Sequence, residues 1–352
     1  MKLIMRGWLM LLLFGTIFLM LTAACGGDDN NDDSADDDDD SGIDDDDAVD
    51  DDAADDDAAD DDAADDDLTD DDTEPADDDS ADDDDLTPPP GCDTLQDGWN
   101  TGFMVDGVAR AFYIDLPAGA EESYPWPVVF NWHGFGDTAA NMRTLIEGLV
   151  DNPDMPFIGI TPEDSNLLFD WDIMDATDPN NRELRLFDEL LAEVDKCWGV
   201  DRDRIYTMGF SFGGGICDML GVLRGDIIAS IATCSGVYGS DPENVIPYAV
   251  ANWPELTTEN KYVEFRLHGG ILDNMILPFG KYGENDKTYL NENGHDYIDC
   301  IHPYIHNMGF LYMGPETFIE FFNDHPYGTT TSPYAEDMPA DYPKTCTYSP
   351  KN

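Results

Sequence analysis

Cationic side chains are scarce in this chain. Of 352 residues only 16 are Lys or Arg, against 78 Asp or Glu, for a formal net charge of −62. Residues 28–87 contain no Lys or Arg at all, while 35 Asp and one Glu stand there. Outside that tract and the leader, 42 acidic residues face 14 basic ones, so residues 88–352 still carry about −28. A field of that sign repels phosphate backbones and anionic lipid, which excludes binding to nucleic acid or to a membrane surface through basic patches. Histidine is sparse too, six residues in all, so any imidazole chemistry has few candidates. Roughly 265 residues follow the tract. That is enough for one large α/β domain with a substantial core, with no room for a second catalytic domain of full size.

The N-terminus predicts export. Lys2 and Arg6 form a positive n-region, and Leu9 to Leu21 is an almost unbroken apolar run leading to Thr22, Ala23, Ala24 and Cys25. The run is short for a bilayer span, which needs about 20 residues, and reads as a signal peptide. Leu-Thr-Ala-Ala-Cys resembles a bacterial lipobox, which implies that residues 1–24 are removed and Cys25 is diacylated; the plainer reading is an ordinary secretory signal. Several acyl chains on one cysteine anchor firmly. Gly26, rather than Asp, after the cysteine implies, by resemblance to lipoprotein sorting, the outer membrane or cell surface. Membrane contact is expected only through Cys25.

Residues 25–90 then read as a linker. Asp-Asp-Asp-Ala-Ala recurs at period five through residues 50–67. Like charge with so little apolar surface cannot offset chain entropy, so a disordered, self-repelling tether is predicted. The glycine turn and bidentate Glu of a calcium loop are absent from it. Residues 91–352 remain as the folded domain. Its six cysteines, Cys92, Cys197, Cys217, Cys234, Cys300 and Cys346, permit up to three disulfides in an oxidising compartment. Cys92 and Cys346 flank the domain and suggest a terminal staple, while Cys217 and Cys234 sit in apolar segments and also fit buried thiols.

Strands and helices alternate along the domain. Strands are predicted at Ala109–Leu116, Trp126–Trp132, Phe157–Thr161, Arg204–Met208, Ile227–Thr233, Tyr262–His268 and, as the last, Tyr297–His302. Helices are predicted at residues 182–197, where Leu184, Phe187, Leu190, Leu191 and Val194 recur at helical spacing, at Phe212–Leu223 and at Pro315–His325. Such alternation means a mostly parallel sheet with helices on both faces, the α/β-hydrolase architecture if a site agrees.

Gly209-Phe210-Ser211-Phe212-Gly213 supplies that site. A strand runs into it and a glycine-rich helix runs out, so Ser211 falls at a strained strand-to-helix elbow. A serine hydroxyl needs a base, and the base an orienting carboxylate, in chain order Ser, acid, His. Asp273, just past the strand Tyr262–His268, is the expected acid; a surface-turn aspartate is the competing reading. For the base, His133 and His268 end strands in His-Gly pairs and read as loop braces, His325 ends the closing helix, and His295 precedes the final strand. His306 is chosen, with His302 and then His295 behind it. Cys300-x-His302-x-x-x-His306 also has metal-ligand spacing, but a second ligand pair is missing and no metal or other cofactor is expected. The oxyanion donors are expected to be the Phe212 amide and the Phe135 amide of His133-Gly134-Phe135-Gly136. Ser235 in Cys234-Ser235-Gly236 lacks an elbow and reads as structural.

These segments together resemble the secreted feruloyl esterase and polyhydroxybutyrate depolymerase family of α/β hydrolases. Val128–Gly134 is similar to its strand and oxyanion loop, and Asp201–Tyr206 with Gly209–Gly214 to its lead into the nucleophile. Ile160-Thr161-Pro162-Glu163 with Trp171, and His268-Gly269 with Asp273, resemble its proline-bearing and acid segments. The Gly-His-x-Trp-Pro of the family is replaced by Ile305-His306-Asn307. The resemblance implies hydrolysis of carboxylic esters, either feruloyl or acetyl groups on plant polysaccharide or hydroxyalkanoate polyester. Trp132 and Trp171, with Phe135, Phe169 and Phe212, are candidates for an acyl pocket and equally for core. A peptidase of the same fold and a non-catalytic surface binding protein are the rival readings.

Overall fold

Segments with every side chain buried occupy the middle of the sheet, and half-exposed segments form its margin. In the computed structural model the described residues are 92–122, 125–165, 171–172, 177–236, 256, 259–271, 273–275, 277–306 and 309–352. All fall within the unit Asp79–Asn352. The expected signal peptide, Cys25 and the Asp-rich tether lie outside the described residues, as does Phe169. The elements begin with β1 (Gly98–Val105), β2 (Val108–Asp115), β3 (Trp126–Trp132), α1 (Ala139–Arg143) and β4 (Ile158–Pro162). Next come α2 (Arg182–Trp198), β5 (Val200–Phe210), α3 (Phe212–Arg224), β6 (Ser230–Cys234) and β7 (Val263–Gly269). The chain continues through α4 (Phe279–Glu292), β8 (Tyr297–His302), α5 (Phe310–Met313), α6 (Glu316–Asp324) and β9 (Cys346–Ser349). No helix among the described residues is long and apolar enough to cross a membrane.

The sheet order is β1-β2-β4-β3-β5-β6-β7-β8-β9. The run from β4 to β8 is parallel throughout, whereas β1, β2 and β9 join antiparallel at the two margins. Residues of β3, β4, β6 and β7 are buried at every position, as strands covered by helices on both faces must be. β1 alternates between buried and exposed positions and turns into β2 through Asp106-Gly107, both with positive φ, which is the two-residue hairpin turn. Helix α2 is capped by Asn181, whose side chain accepts the Glu183 amide at 2.8 Å, and it turns Leu184, Phe187, Leu190 and Val194 inward.

Two expectations are corrected. Tyr297–His302 is not the last strand, because β9 adds antiparallel to it with Cys346 directly opposite Cys300. That register makes Cys300–Cys346 one disulfide, and Cys92 pairs with Cys197 at the end of α2, so the Cys92–Cys346 staple does not form. Closing loops of 105 and 46 residues stabilises the fold by about 5 and about 4 kcal/mol on loop entropy. Cys217 and Cys234 are buried thiols that join no disulfide.

Under α3, three buried carboxylates share one guanidinium. Arg266 reaches Asp286 at 2.8 Å but Glu264 only at 3.9 Å. Burial, with the charges of Glu264 and Asp286, pushes the Asp218 carboxyl up, and burial, with the charge of Asp286, outweighs Arg266 and pushes Glu264 up to about 8. His295 and His325, by contrast, are pushed down by burial to about 4. The raised Glu264 carboxyl contributes stability that is present in acid and lost as pH rises through about 8. The depressed histidines contribute above the ordinary histidine value of 6.5, and that part is lost as pH falls through about 4. The free energy of urea unfolding is therefore expected to decline from pH 6.5 to about 8, and Glu264→Gln to flatten the decline. A level wild-type profile over that interval would contradict the buried-proton account.

Candidate active site

Strand β5 leads directly into Ser211, whose backbone has φ 54° and ψ −112°, a conformation L-residues avoid. The turn is possible because its flanks are glycine. A Cβ on Gly209 would stand 2.4 Å from the Gly213 carbonyl group, and one on Gly213 would stand 2.1 Å from the Trp132 carbonyl oxygen. The Ser211 amide donates to the Cys234 carbonyl at 2.8 Å, tying the elbow to β6. The hydroxyl is thus held at the first turn of α3, where the helix dipole is positive.

The structure brings three of the expected residues into one hydrogen-bonded line. His306 Nε2 lies 3.0 Å from Ser211 Oγ, and His306 Nδ1 lies 2.8 Å from Asp273 Oδ1. Asp273 is fully buried and begins a single 3₁₀ turn just past β7. Its other oxygen, Oδ2, accepts from the Gly269 amide at 2.8 Å and from Ser235 Oγ at 2.9 Å. Burial by itself raises this carboxyl. The hydrogen bond and charge of His306, with the Gly269 amide and the Ser235 hydroxyl, outweigh it and hold Asp273 below the ordinary carboxylate range. The imidazole of His306 lies flat on Phe279, with centroids 4.4 Å apart and planes 5° apart, and Phe210 packs tilted at 4.8 Å.

The other histidines are committed elsewhere. His302 Nδ1 accepts the Tyr304 amide at 3.2 Å, and burial depresses its pKa. His295 Nδ1 meets the Tyr262 carbonyl at 3.0 Å, at the start of β8 and so at the opposite edge of the sheet. His133 and His268 each place Nδ1 on the carbonyl of the following glycine, at 2.9 and 2.8 Å, as loop braces do. Cys300 is consumed by its disulfide, which removes the Cys-His-His metal reading.

In the loop after β3, Phe135 is 43% exposed and its ring packs 5.4 Å from that of Phe212. Trp132 and Trp171 are not pocket walls. Both are buried, and their indole N–H groups donate to Thr207 Oγ1 at 3.0 Å and to the His133 carbonyl at 2.9 Å. They support the loop from beneath because their polar edges find partners only in the interior.

Ser235, Phe279 and Glu163 belong to the site region and were missed as such in the sequence. Ser235 has φ 50° at the end of β6, between the strands carrying Ser211 and Asp273. A polar residue at the carboxyl end of an all-buried strand was the available signal. Glu163 was read only as part of a proline-bearing segment, although it sits 3.3 Å from His133 Nε2.

A mainly parallel sheet whose strand–elbow–helix holds such a line is an α/β-hydrolase fold. Solved structures share it. The native form of pOPH superposes with a TM-score of 0.58 at 15% identity, over 75% of this chain and 97% of that one. For native sOPH the values are 0.54 and 17%, over 74% and 96%. No family model matches the chain. By sequence it is similar to feruloyl esterase D of Neurospora crassa, 26% identical over 171 residues. That match covers 44% of this chain, and the chain spans somewhat over half, 58%, of the curated relative. The relative's name, feruloyl esterase, is one of the two in the family whose motifs the chain resembles.

Replacing Ser235 by Ala removes one of the donors that favour ionised Asp273. In a ¹³C NMR titration the Asp273 carboxyl of that variant is expected to protonate at higher pH than in wild type. An unchanged titration would deny the hydroxyl any part in setting that charge.

Proposed function

We propose that the chain is a serine esterase acting through an acyl-enzyme. The observation that carries the reading is the Ser211–His306–Asp273 line on a strained elbow. His306 Nε2 takes the Ser211 proton as Oγ attacks the ester carbonyl, and then returns it to the departing alcohol oxygen. Asp273 holds the imidazole by Nδ1 and offsets the charge it gains. Amides of Phe212 and Phe135 receive the oxyanion, and water activated by the same imidazole releases the acid. In substrate, an uncharged acyl group fits best, because Phe135, Ile271 and Ile305 beside the site are exposed, apolar side chains. Feruloyl or acetyl esters of polysaccharide and hydroxyalkanoate esters all meet that condition.

Wild type is expected to hydrolyse p-nitrophenyl acetate and to react with a fluorophosphonate probe. Ser211→Ala is expected to abolish labelling and lower kcat/KM by about 10⁴-fold or more. Labelling that survives in Ser211→Ala would end the assignment of Ser211 as nucleophile, and a wild type that takes no label would favour a surface binding role. Methyl ferulate and hydroxybutyrate oligomers, assayed side by side, separate the two substrate classes.

The leader supports a second, separable part of the proposal, that Cys25 carries the lipid that holds the enzyme at the cell envelope. Wild type is expected in the membrane fraction and Cys25→Ser in the soluble one; equal fractionation would count against the anchor.

A further inference from the structure

The loop from His133 to Ala139 joins β3 to α1 and carries Phe135 beside Phe212. It contains Gly134 and Gly136, the latter at φ 72°, and the Phe135 side chain projects outward. The loop closes a turn of its own, the Asp137 amide donating to the Gly134 carbonyl at 3.2 Å. Its two ends converge on one carboxylate from the neighbouring strand. Glu163, next after β4, sets Oε1 3.3 Å from His133 Nε2 and accepts the Ala139 amide on Oε2 at 3.0 Å.

His133 is itself completely buried, and its Nε2 meets Glu163 as a close charge contact and makes no hydrogen bond. Its Nδ1 donates to the Gly134 carbonyl at 2.9 Å, and its own carbonyl accepts Trp171 Nε1 at 2.9 Å. With Nδ1–H used in this way, Nε2 can face a carboxylate favourably only when it too carries a proton or a cation. Burial opposes that charge. Glu163, with Asp164 Oδ2 at 4.0 Å, outweighs burial and raises the imidazole's pKa. Glu163 in turn is held low, because His133 and the Ala139 amide outweigh its own desolvation.

We propose that Glu163 is a positioning residue: its carboxylate clips both ends of the 133–139 loop and thereby places the Phe135 amide for the developing oxyanion. The inference rests on the esterase reading above. Donors aimed at an oxyanion stabilise the transition state more than bound substrate, so the clip acts on kcat rather than KM. Misplacement by about 1 Å costs up to about 10²-fold in rate.

Two variants test it with p-nitrophenyl acetate. Glu163→Gln keeps the shape and an acceptor for Ala139 but removes the charge that holds His133. Its kcat is expected to fall about 10- to 100-fold with KM within about twofold and the melting temperature nearly unchanged. Ala139→Pro removes the other arm and leaves the His133–Glu163 pair alone. Proline is tolerated at a first helical position, and Thr138 before it is extended at φ −138° and ψ 156°. It is expected to lower kcat in the same direction, and it decides the matter if Glu163→Gln does not fold. Full kcat in either folded variant, or a change in KM alone, would overturn the clip while leaving the esterase reading intact. So would loss of wild-type activity in a chelator with recovery on added zinc or calcium, since the same His133, Glu163 and Asp164 atoms lie within 4.8 Å of one another and a metal would then be the bridge. A wild type inert toward the ester would sink the esterase reading and the clip together.

Discussion

The left-handed backbone at Ser211 is the constraint on which the site depends. A β-strand ends and a helix begins with no residue between them except this one. The reversal is sterically possible only because Gly209 and Gly213 leave the crossing backbones at contact distance. The cost of such a conformation, of order 1–3 kcal/mol, must be met by the surrounding structure. The Ser211 amide bonded to the Cys234 carbonyl and α3 packed against the sheet are what meet it. Strain and the placement of the hydroxyl therefore have one origin.

Parallel strands then do the rest of the assembly. Because β3, β5, β6, β7 and β8 run the same way, the residues just beyond their ends gather along one edge. Ser211, Ser235, Asp273 and His306 are all drawn from such ends, as is the loop of Phe135. One local device is used twice. His133 and His268 each turn Nδ1 to the next glycine's carbonyl and Nε2 to a carboxylate from the adjacent strand, Glu163 in one case and Asp299 at 3.2 Å in the other. The first brace lies at the root of the loop of Phe135 and the second beside Gly269, whose amide holds Asp273. The loops are irregular, but their roots are not.

Much of this was legible in the sequence, and the reasons for the exceptions are physical. Buried parallel strands announce themselves as short apolar runs, so β3, β5 and β7 were placed to within a few residues. The elbow motif located Ser211, and sheet direction selected Asp273 and His306 for the positions they occupy. Margins were harder. β1 has solvent on one face, and β9, with only Cys-Thr-Tyr-Ser, owes its existence to pairing with β8. Helix α4 is built of polar residues and glycine around Phe279, too weak a periodic signal to find. The disulfides follow from strand register, which spacing along the chain does not encode. The tryptophans were ambiguous because an indole suits a pocket wall and a buried hydrogen-bonded slab equally well.

The flat contact between His306 and Phe279 has a mechanical consequence. An imidazole lying at van der Waals distance on a phenyl ring can pivot within its own plane but cannot tip toward that ring. In an esterase this confines the travelling proton to a narrow arc between attacking and departing oxygens. Aromatic contact, a feature usually credited with rigidity, would here act as a guide rail for the imidazole.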